Sequence, residues 1–406
     1  MAEKIKAEII VVNPGSTSTK ISLFKDTEEI LTENINHKIE DLARFNKASD
    51  QDLYRMEIII RVLREKNVDL SQIKAVVGRG GLIRPIQGGT YTVNDEMVAD
   101  LKKGIMGDHP SNCGGLIAYT ISKSLECEAY IVDPVVVDEM DPIAKISGMP
   151  LIQRKSIFHA LNQKAVGREI ACKINKSYAE INLIIAHMGG GITVGCHAKG
   201  RVIDVNNGLD GDGPFSPERS GAVPIGDLIQ GCFTGEYTFS DMKKLVKGHG
   251  GMVAYLGTHD MREVEKRIND GDQKAKIVFE AMAYQIAKEI GAMSTVINGK
   301  ADAIVLTGGM ANSNKLVELI RERVEFIAPV HVYPGEQEMK ALALISHQEK
   351  MASLGMMAAG IAHEIGNPLT SISSMAQVIK RKNENQNINE YVTNILKKYR
   401  KNFTNC

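Results

Sequence analysis

The sequence predicts an α/β protein of two like-built domains facing each other across a cleft, followed by a helical appendage. Three observations lead there. A strand–turn–strand unit at 9–24 recurs at 183–196, roughly 170 residues further on, which is the mark of one supersecondary motif used twice. Short buried apolar runs alternate with longer stretches of helical periodicity. Three of the strands end in Gly-rich turns, where a backbone can approach a phosphate or a flat ring closely.

The first unit is Ile9-Ile10-Val11-Val12-Asn13-Pro14-Gly15-Ser16-Thr17-Ser18-Thr19-Lys20-Ile21-Ser22-Leu23-Phe24. Its turn offers backbone N–H groups, hydroxyls and a lysine at one point, as a phosphate chain requires. It is not a P-loop, because the Gly-Lys-Ser/Thr ending is absent and a strand, not a helix, follows. Taken alone it reads equally well as an ordinary hairpin turn; the later echo tips it toward a nucleotide site.

Leu53, Met56, Ile59, Ile60 and Leu63 recur at helical spacing and predict a helix over about Asp50–Lys66. Ala75–Gly78 is a short buried strand running into Gly78-Arg79-Gly80-Gly81, which places Arg79 at a strand end. Helices are predicted over Asp95–Lys103 and Asn112–Leu125, with His109 in the loop between them and Ser111 or Asn112 as a cap. Ala129–Val132 is a strand ending at Asp133, on the edge where open α/β sheets bind ligands. Pro150 opens a predicted helix running to about Ile174, with His159 in its first turns. Each of Arg79, His109, Asp133 and His159 has an ordinary loop, cap or packing role open to it when read singly.

The second unit, Leu183–Cys196, holds His187, Gly189, Gly190 and Gly191 in its turn, and a third strand, Arg201–Val205, follows. The stretch Gly208–Gly221 is too rich in Gly and Pro for a regular element, and it carries Arg219. Val278, Met282, Ile286, Ile290, Met293 and Ile297 mark a long core helix over about Asp272–Asn298. Ala303–Leu306 is a buried strand ending in Thr307-Gly308-Gly309-Met310, and Val330–Tyr333 is the last strand.

The 406 residues are 43% hydrophobic, enough for a sizeable core in two or three domains. Formal net charge is zero, so nothing in the bulk charge argues for nucleic acid or an anionic membrane as partner. No apolar run is long enough to span a bilayer and the first residues lead directly into a strand, so no leader is expected. The six cysteines form no C-x-x-C pair and read as reduced thiols, most of them core fillers, which suits a cytoplasmic protein.

The three Gly-rich strand ends resemble the acetate and sugar kinase, heat-shock 70 and actin superfamily, with its paired ribonuclease-H-like domains. Asn13-x-Gly15-Ser16-x-Ser18-x-Lys20, Gly78-Arg79, Phe158-His159 and Glu218-Arg219-Ser220-Gly221 resemble, in order, the landmarks of the acetate kinase family. Asp108-His109-Pro110-Ser111-Asn112, Leu306-Thr307-Gly308-Gly309-Met310-Ala311 and Tyr333-Pro334-Gly335-Glu336 resemble the butyrate kinases within it. The resemblance spans about residues 7–344. It implies a ribonuclease-H-like domain over 1–150 and another over 151–344. It also implies reversible transfer of the γ-phosphoryl group of ATP to a short-chain fatty acid, butyrate foremost, with Mg²⁺ as cofactor and a homodimer or higher homo-oligomer as the working form.

By that resemblance Arg79 and Arg219 bind the carboxylate and the phosphoryl oxygens, His159 donates to the transition state, and Asn13, Ser16, Ser18 and Lys20 line the phosphate path. His109 lies with the substrate. His187 and Gly189–Gly191 supply the second phosphate loop, Gly308, Gly309 and Met310 flank the adenosine, and Asp133 and Glu336 hold the metal, with Glu338 a near-equal alternative to Glu336. One departure stands out: acetate kinases carry an Asn where this chain has Gly190, which sets acetate aside as the expected preferred acid.

From Gln348 onward the text changes. Ala362-His363-Glu364-Ile365-Gly366-Asn367-Pro368 resembles the phosphoacceptor helix of sensor histidine kinases, with His363 as the phosphoacceptor, and the apolar stripe Met351, Leu354, Met357, Ile361, Ile365 suits a helical hairpin over 345–406. No ATP-binding domain follows, so this segment is expected to be a fused or truncated remnant. Two other functions remain open at this stage: a phosphorelay or dimerisation module acting through His363, and a sugar kinase of the same superfamily, which would need a basic Asp in the cleft to deprotonate a hydroxyl.

Overall fold

The structure, a computed structural model, describes residues 8–335 and 338–345. Eleven strands form two sheets. The first sheet contains β1 (Glu8–Pro14), β2 (Ser18–Lys25), β3 (Glu28–Asn36), β4 (Ile73–Arg79), β5 (Thr90–Thr92) and β6 (Glu128–Val132), in the order β3-β2-β1-β4-β6-β5. The second contains β7 (Asn182–Met188), β8 (Ile192–Ala198), β9 (Arg201–Val205), β10 (Ala303–Gly308) and β11 (Val330–Pro334), in the order β11-β10-β7-β8-β9. Each sheet begins with an antiparallel hairpin, β1–β2 or β7–β8, whose first strand also pairs in parallel with a later strand. The echo read in the sequence is therefore a repeated topology.

Period two explains the apolar runs. In β1, Ile10 and Val12 point into one core with Ile59, Leu63, Leu116 and Ile117, while Ile9 and Val11 point into another with Phe24, Val77 and Leu161. Both faces are covered, so no polar alternation is required of the strand. In β7, Ile184, Ala186 and Met188 face the helix Gln273–Val296, and Leu183 and Ile185 face Val166 and Ile170. Met339, Ala341, Leu342 and Ala343, in the helical stretch 338–345, complete the core around Ile9 and Val11, so this stretch packs back on the first sheet.

Several predicted elements form as read. The helix over 50–66 is Asp52–Glu65, preceded by a 3₁₀ turn, and the helices Asp95–Lys103 and Asn112–Leu125 have the expected bounds. Asn94 caps the second of these three, accepting from the Met97 amide, and Gly104 ends it at φ 66°, the left-handed conformation that glycine adopts without a Cβ penalty.

Two expectations are corrected. The helix expected from Pro150 begins only at Ala160, and residues 152–157 are irregular; His159 is its N-cap residue, not a member of its first turns. After β10 a 3₁₀ turn, Gly309–Asn312, precedes the helix Asn314–Val324. Of the five described cysteines only Cys113 and Cys196 are buried, whereas Cys172 and Cys232 are exposed. Glu336, His363 and the helical hairpin expected over 345–406 lie outside the described residues, apart from residue 345. Among the described residues no helix is long and apolar enough to cross a membrane.

Candidate active site

The β1–β2 turn owes its shape to a residue the sequence reading passed over. Arg55 is fully buried beneath it. Its guanidinium donates to the carbonyl oxygens of Gly15 (2.9 Å), Ser16 (3.1 Å) and Ser18 (2.9 Å), to Thr19 Oγ1 (2.9 Å) and to Gln51 Oε1. With these carbonyls turned inward onto a cation, Ser16 and Thr17 stay exposed on the other side. The signal was available: Arg55 lies four and eight residues before Ile59 and Leu63, on the buried face of its helix. Ser18 and Lys20 stand in β2, where Lys20 is exposed and paired in register with Asn13.

Arg79 ends β4. A Cβ on the preceding Gly78 would lie 2.1 Å from the Gly114 carbonyl oxygen, so only glycine lets the strand approach the helix Asn112–Leu125 this closely. Arg79 Nη1 donates to Glu338 Oε2 (2.9 Å) and to Asn13 Oδ1 (3.3 Å), and Asn13 Nδ2 donates to the same Glu338 oxygen (2.6 Å). Glu338 is buried, and this triangle ties β1, β4 and the helical stretch 338–345 together.

His159 and Arg219 lie on the other side of the chain's repeat, the first at the N-cap of the helix Ala160–Lys173 and the second in the loop after β9. The His159 ring stacks on that of His187, centroids 3.8 Å apart and planes 13° from parallel, and its Nδ1 lies 2.9 Å from Thr193 Oγ1. His187 Nδ1 lies 2.8 Å from Asn162 Oδ1. Burial, then the neighbouring His187, Arg219 and Arg79, push the His159 pKa well below the usual value, so the ring is neutral near pH 7. The Arg219 guanidinium donates to the Gly208 carbonyl and lies directly over Gly191, where a Cβ would fall 1.8 Å from Nη1. Gly191 is thus required by an arginine crossing the loop, a reason that no reading of the loop in isolation supplies.

These groups share one pocket of about 450 Å³, lined by Arg79, His109, His159, Thr193 and Arg219, with Leu82, Val135, Ile157, Phe158 and Leu209 as its apolar wall. Burial first, then the neighbouring Lys247, Arg79 and Arg219, hold the His109 pKa at about 4. Lys247 is a second residue the sequence reading missed. It pairs with Arg219 through an isolated β-bridge, and burial followed by that arginine lowers its pKa.

A larger pocket of about 1,110 Å³ opens beside the second Gly-rich loop. Gly189, Gly190, Glu218, Gly309, Met310 and Ser313 line it, joined by Asp260 and Arg262. Gly191 and Gly308 do not border it; Gly308, at φ 88°, instead backs onto the Met188 carbonyl, where a Cβ would be 2.4 Å away.

Asp133 follows β6 and is buried. Its carboxylate accepts from the Gly89 amide (2.8 Å) and from Arg168 (3.2 Å); burial raises its pKa and Arg168 opposes the rise. It shares a small pocket of about 200 Å³ with Arg79, His159 and Glu338. Of the two glutamates considered for a metal, Glu338 is the one the structure describes, and it is at the site. Among the described residues no cluster of three or more His, Cys, Asp or Glu side chains forms a ready-made cage.

A family model described as the Acetokinase family matches residues 147–352, half of the chain, and one described as the His Kinase A (phospho-acceptor) domain matches residues 353–400. Among solved structures, an acetate kinase from Porphyromonas gingivalis superposes with a TM-score of 0.69 at 18% identity, over 83% of this chain and 98% of that one. A propionate kinase from Francisella tularensis gives 0.66 at 19% identity, over 84% and 98%. An acetate kinase from Entamoeba histolytica gives 0.64 at 18%. At such identities the likeness speaks for the fold.

Proposed function

The chain belongs to the acetokinase family, and from that premise we propose that it moves the γ-phosphoryl group of ATP reversibly onto a short-chain carboxylate, with butyrate as the preferred acid. The observation that carries the proposal is the shared pocket in which Arg79, His159 and Arg219 meet over an apolar wall. A carboxylate is already ionised near pH 7 and needs no base. What it needs is relief from repulsion as it approaches a phosphoryl group, and two arginines with a neutral imidazole donor supply that. A carboxylate oxygen forms the new O–P bond, the bond from the γ-phosphorus to the bridging oxygen breaks, and ADP leaves with that oxygen's charge.

Each remaining part has a place in this reading. Leu82, Val135, Ile157, Phe158 and Leu209 would hold the alkyl chain, with His109 beside it. Asn13, Ser16, Ser18 and Lys20 would receive the phosphate chain from one lobe, and His187 with Gly189, Gly190 and Gly191 from the other. Gly308, Gly309 and Met310 would flank the adenosine in or beside the larger pocket. Asp133 and Glu338, two carboxylates on one small pocket, fit Mg²⁺, which keeps several waters and needs few protein ligands. When bound, that ion would supply charge neutralisation on the phosphates.

A sugar as acceptor would need a base at its hydroxyl, whereas the shared pocket offers arginines, histidines and an apolar wall, as an acid requires. Self-association is proposed through the helix Ile225–Phe233, none of whose residues is buried and whose Ile225, Ile229 and Phe233 form one exposed stripe. The segment 345–406 is proposed to play no part in the transfer.

The test is turnover of Mg-ATP against a panel of straight and branched acids, with hydroxylamine trapping the acyl phosphate. Acid-dependent hydroxamate, highest with four-carbon acids, is the expected result. ATP turnover with sugars but none with acids would sink the proposal. Unchanged turnover in His363→Gln is expected, and acid-labile phosphate on His363 after mixing with a histidine kinase catalytic domain would restore the phosphorelay reading.

A further inference from the structure

Behind His159 runs a chain of buried polar groups that the phosphoryl-transfer reading does not use. Tyr178 Oη lies 2.7 Å from His197 Nδ1, His197 Nε2 lies 2.9 Å from Gln163 Oε1, and Gln163 Nε2 lies 2.9 Å from Thr193 Oγ1 and 3.0 Å from the Thr193 carbonyl oxygen. Thr193 Oγ1 then meets His159 Nδ1 at 2.9 Å. Gln163, Thr193 and His197 are fully buried. Room for the crossing exists because residue 195 is glycine: a Cβ there would lie 2.4 Å from Gln163 Oε1.

The direction of every bond follows from one fixed point. A backbone carbonyl only accepts, so the Gln163 atom facing Thr193 is the NH₂ group and Oε1 faces His197. His197 Nε2 therefore carries a proton, and Nδ1 of that buried, neutral ring accepts from the Tyr178 hydroxyl. On the other side, Gln163 fills one lone pair of Thr193 Oγ1. A buried threonine proton left without an acceptor is costly, and the acceptor in reach is His159 Nδ1.

We propose that Gln163 and Thr193 are positioning residues that hold His159 as the Nε2–H tautomer, with the Thr193 carbonyl setting the direction of the chain and His197 and Tyr178 continuing it. The role rests on the carboxylate kinase reading. In the Nε2–H form the ring donates to an anionic oxygen in the pocket; in the other tautomer it turns a lone pair on that anion. The second nitrogen of a histidine is commonly set by the partner of the first. Stacking on His187 fixes the ring plane, and the hydrogen-bonded chain fixes the proton.

The full chain, ¹⁵N-labelled at histidine, is followed by long-range proton–nitrogen spectra, the His159 signals being assigned by their loss in His159→Gln. The wild type is expected to show the proton on Nε2. Thr193→Val, which keeps the shape but not the hydroxyl, and Gln163→Leu are expected to populate both tautomers; kcat falls about 10- to 100-fold while KM for ATP stays within about twofold. Thr193→Ser restores both. A proton on Nδ1 in the wild type, or a fall in kcat in Thr193→Val with the tautomer unchanged, overturns the proposal. An Nε2–H ring in a protein that phosphorylates no acid leaves the lock standing and removes the kinase reading instead.

Discussion

Replacing Arg55 by methionine isolates what a single buried cation does for the β1–β2 turn. The side chain is fully buried and serves three backbone carbonyls, a threonine hydroxyl and a glutamine oxygen. Removing it leaves those acceptors unmet, at about 1–3 kcal/mol each where they are truly dry. Two effects reduce the sum: water can reach part of a turn whose Ser16 and Thr17 are exposed, and the guanidinium's own desolvation cost disappears. The net expectation is about 3 kcal/mol, or about two decades in the folding equilibrium. Lysine offers three donors from one point and cannot span five acceptors, so Arg55→Lys should fall between methionine and wild type. The chain has no tryptophan, so urea unfolding is best followed by far-ultraviolet circular dichroism, with KM for ATP measured in parallel. A loss below about 1 kcal/mol in Arg55→Met, with KM for ATP unmoved, would refute the claim that Arg55 shapes this turn.

Gly191→Ala should fold normally yet lose about 10²-fold in kcat, because the new methyl displaces the Arg219 guanidinium; a variant of wild-type activity in the steady-state assay would show that Arg219 has another route to the pocket. Acid should destabilise the protein from about pH 6.5 downward. His37 and His109 stay neutral in the fold to about pH 4, through burial and nearby cations, whereas the unfolded imidazoles take up protons near 6.5. The unfolded state therefore binds more protons within that window. Stability is full above it and falls by about 1 kcal/mol per pH unit for each histidine as pH drops through it, readable as a shift of the urea midpoint between pH 7 and 4.5. Ile229→Asp with Phe233→Asp should turn any self-associated form into monomer in sedimentation equilibrium, with an unchanged circular dichroism spectrum.

Much of the architecture could be read from the chain itself because it is written in local periodicity. Strands covered on both faces appear as unbroken apolar runs such as Ile9–Val12 and Leu183–Ala186, and the helix Gln273–Val296 shows its buried stripe plainly. The irregular stretch before His159 was misread because Pro150–Phe158 carries enough apolar residues to imitate a helix, and its true partners, such as the Val135 and Val137 carbonyls, lie in another part of the chain. Arg219, Arg79 and His159 could be named as site residues from motif and resemblance, and the structure brings all three to one pocket.

What the chain by itself determined is therefore the α/β plan with its duplicated hairpins, since each is carried by neighbours in sequence. What only the tertiary structure decided are relations across long separations: Arg55 beneath a turn 40 residues away, Glu338 on Arg79 across 259 residues, Arg219 over Gly191, and the directed chain from Tyr178 to His159. Hydrogen bonding and steric exclusion act at about 3 Å, a range at which distance along the chain carries no weight; which groups meet there is settled only when the sheets and helices have packed.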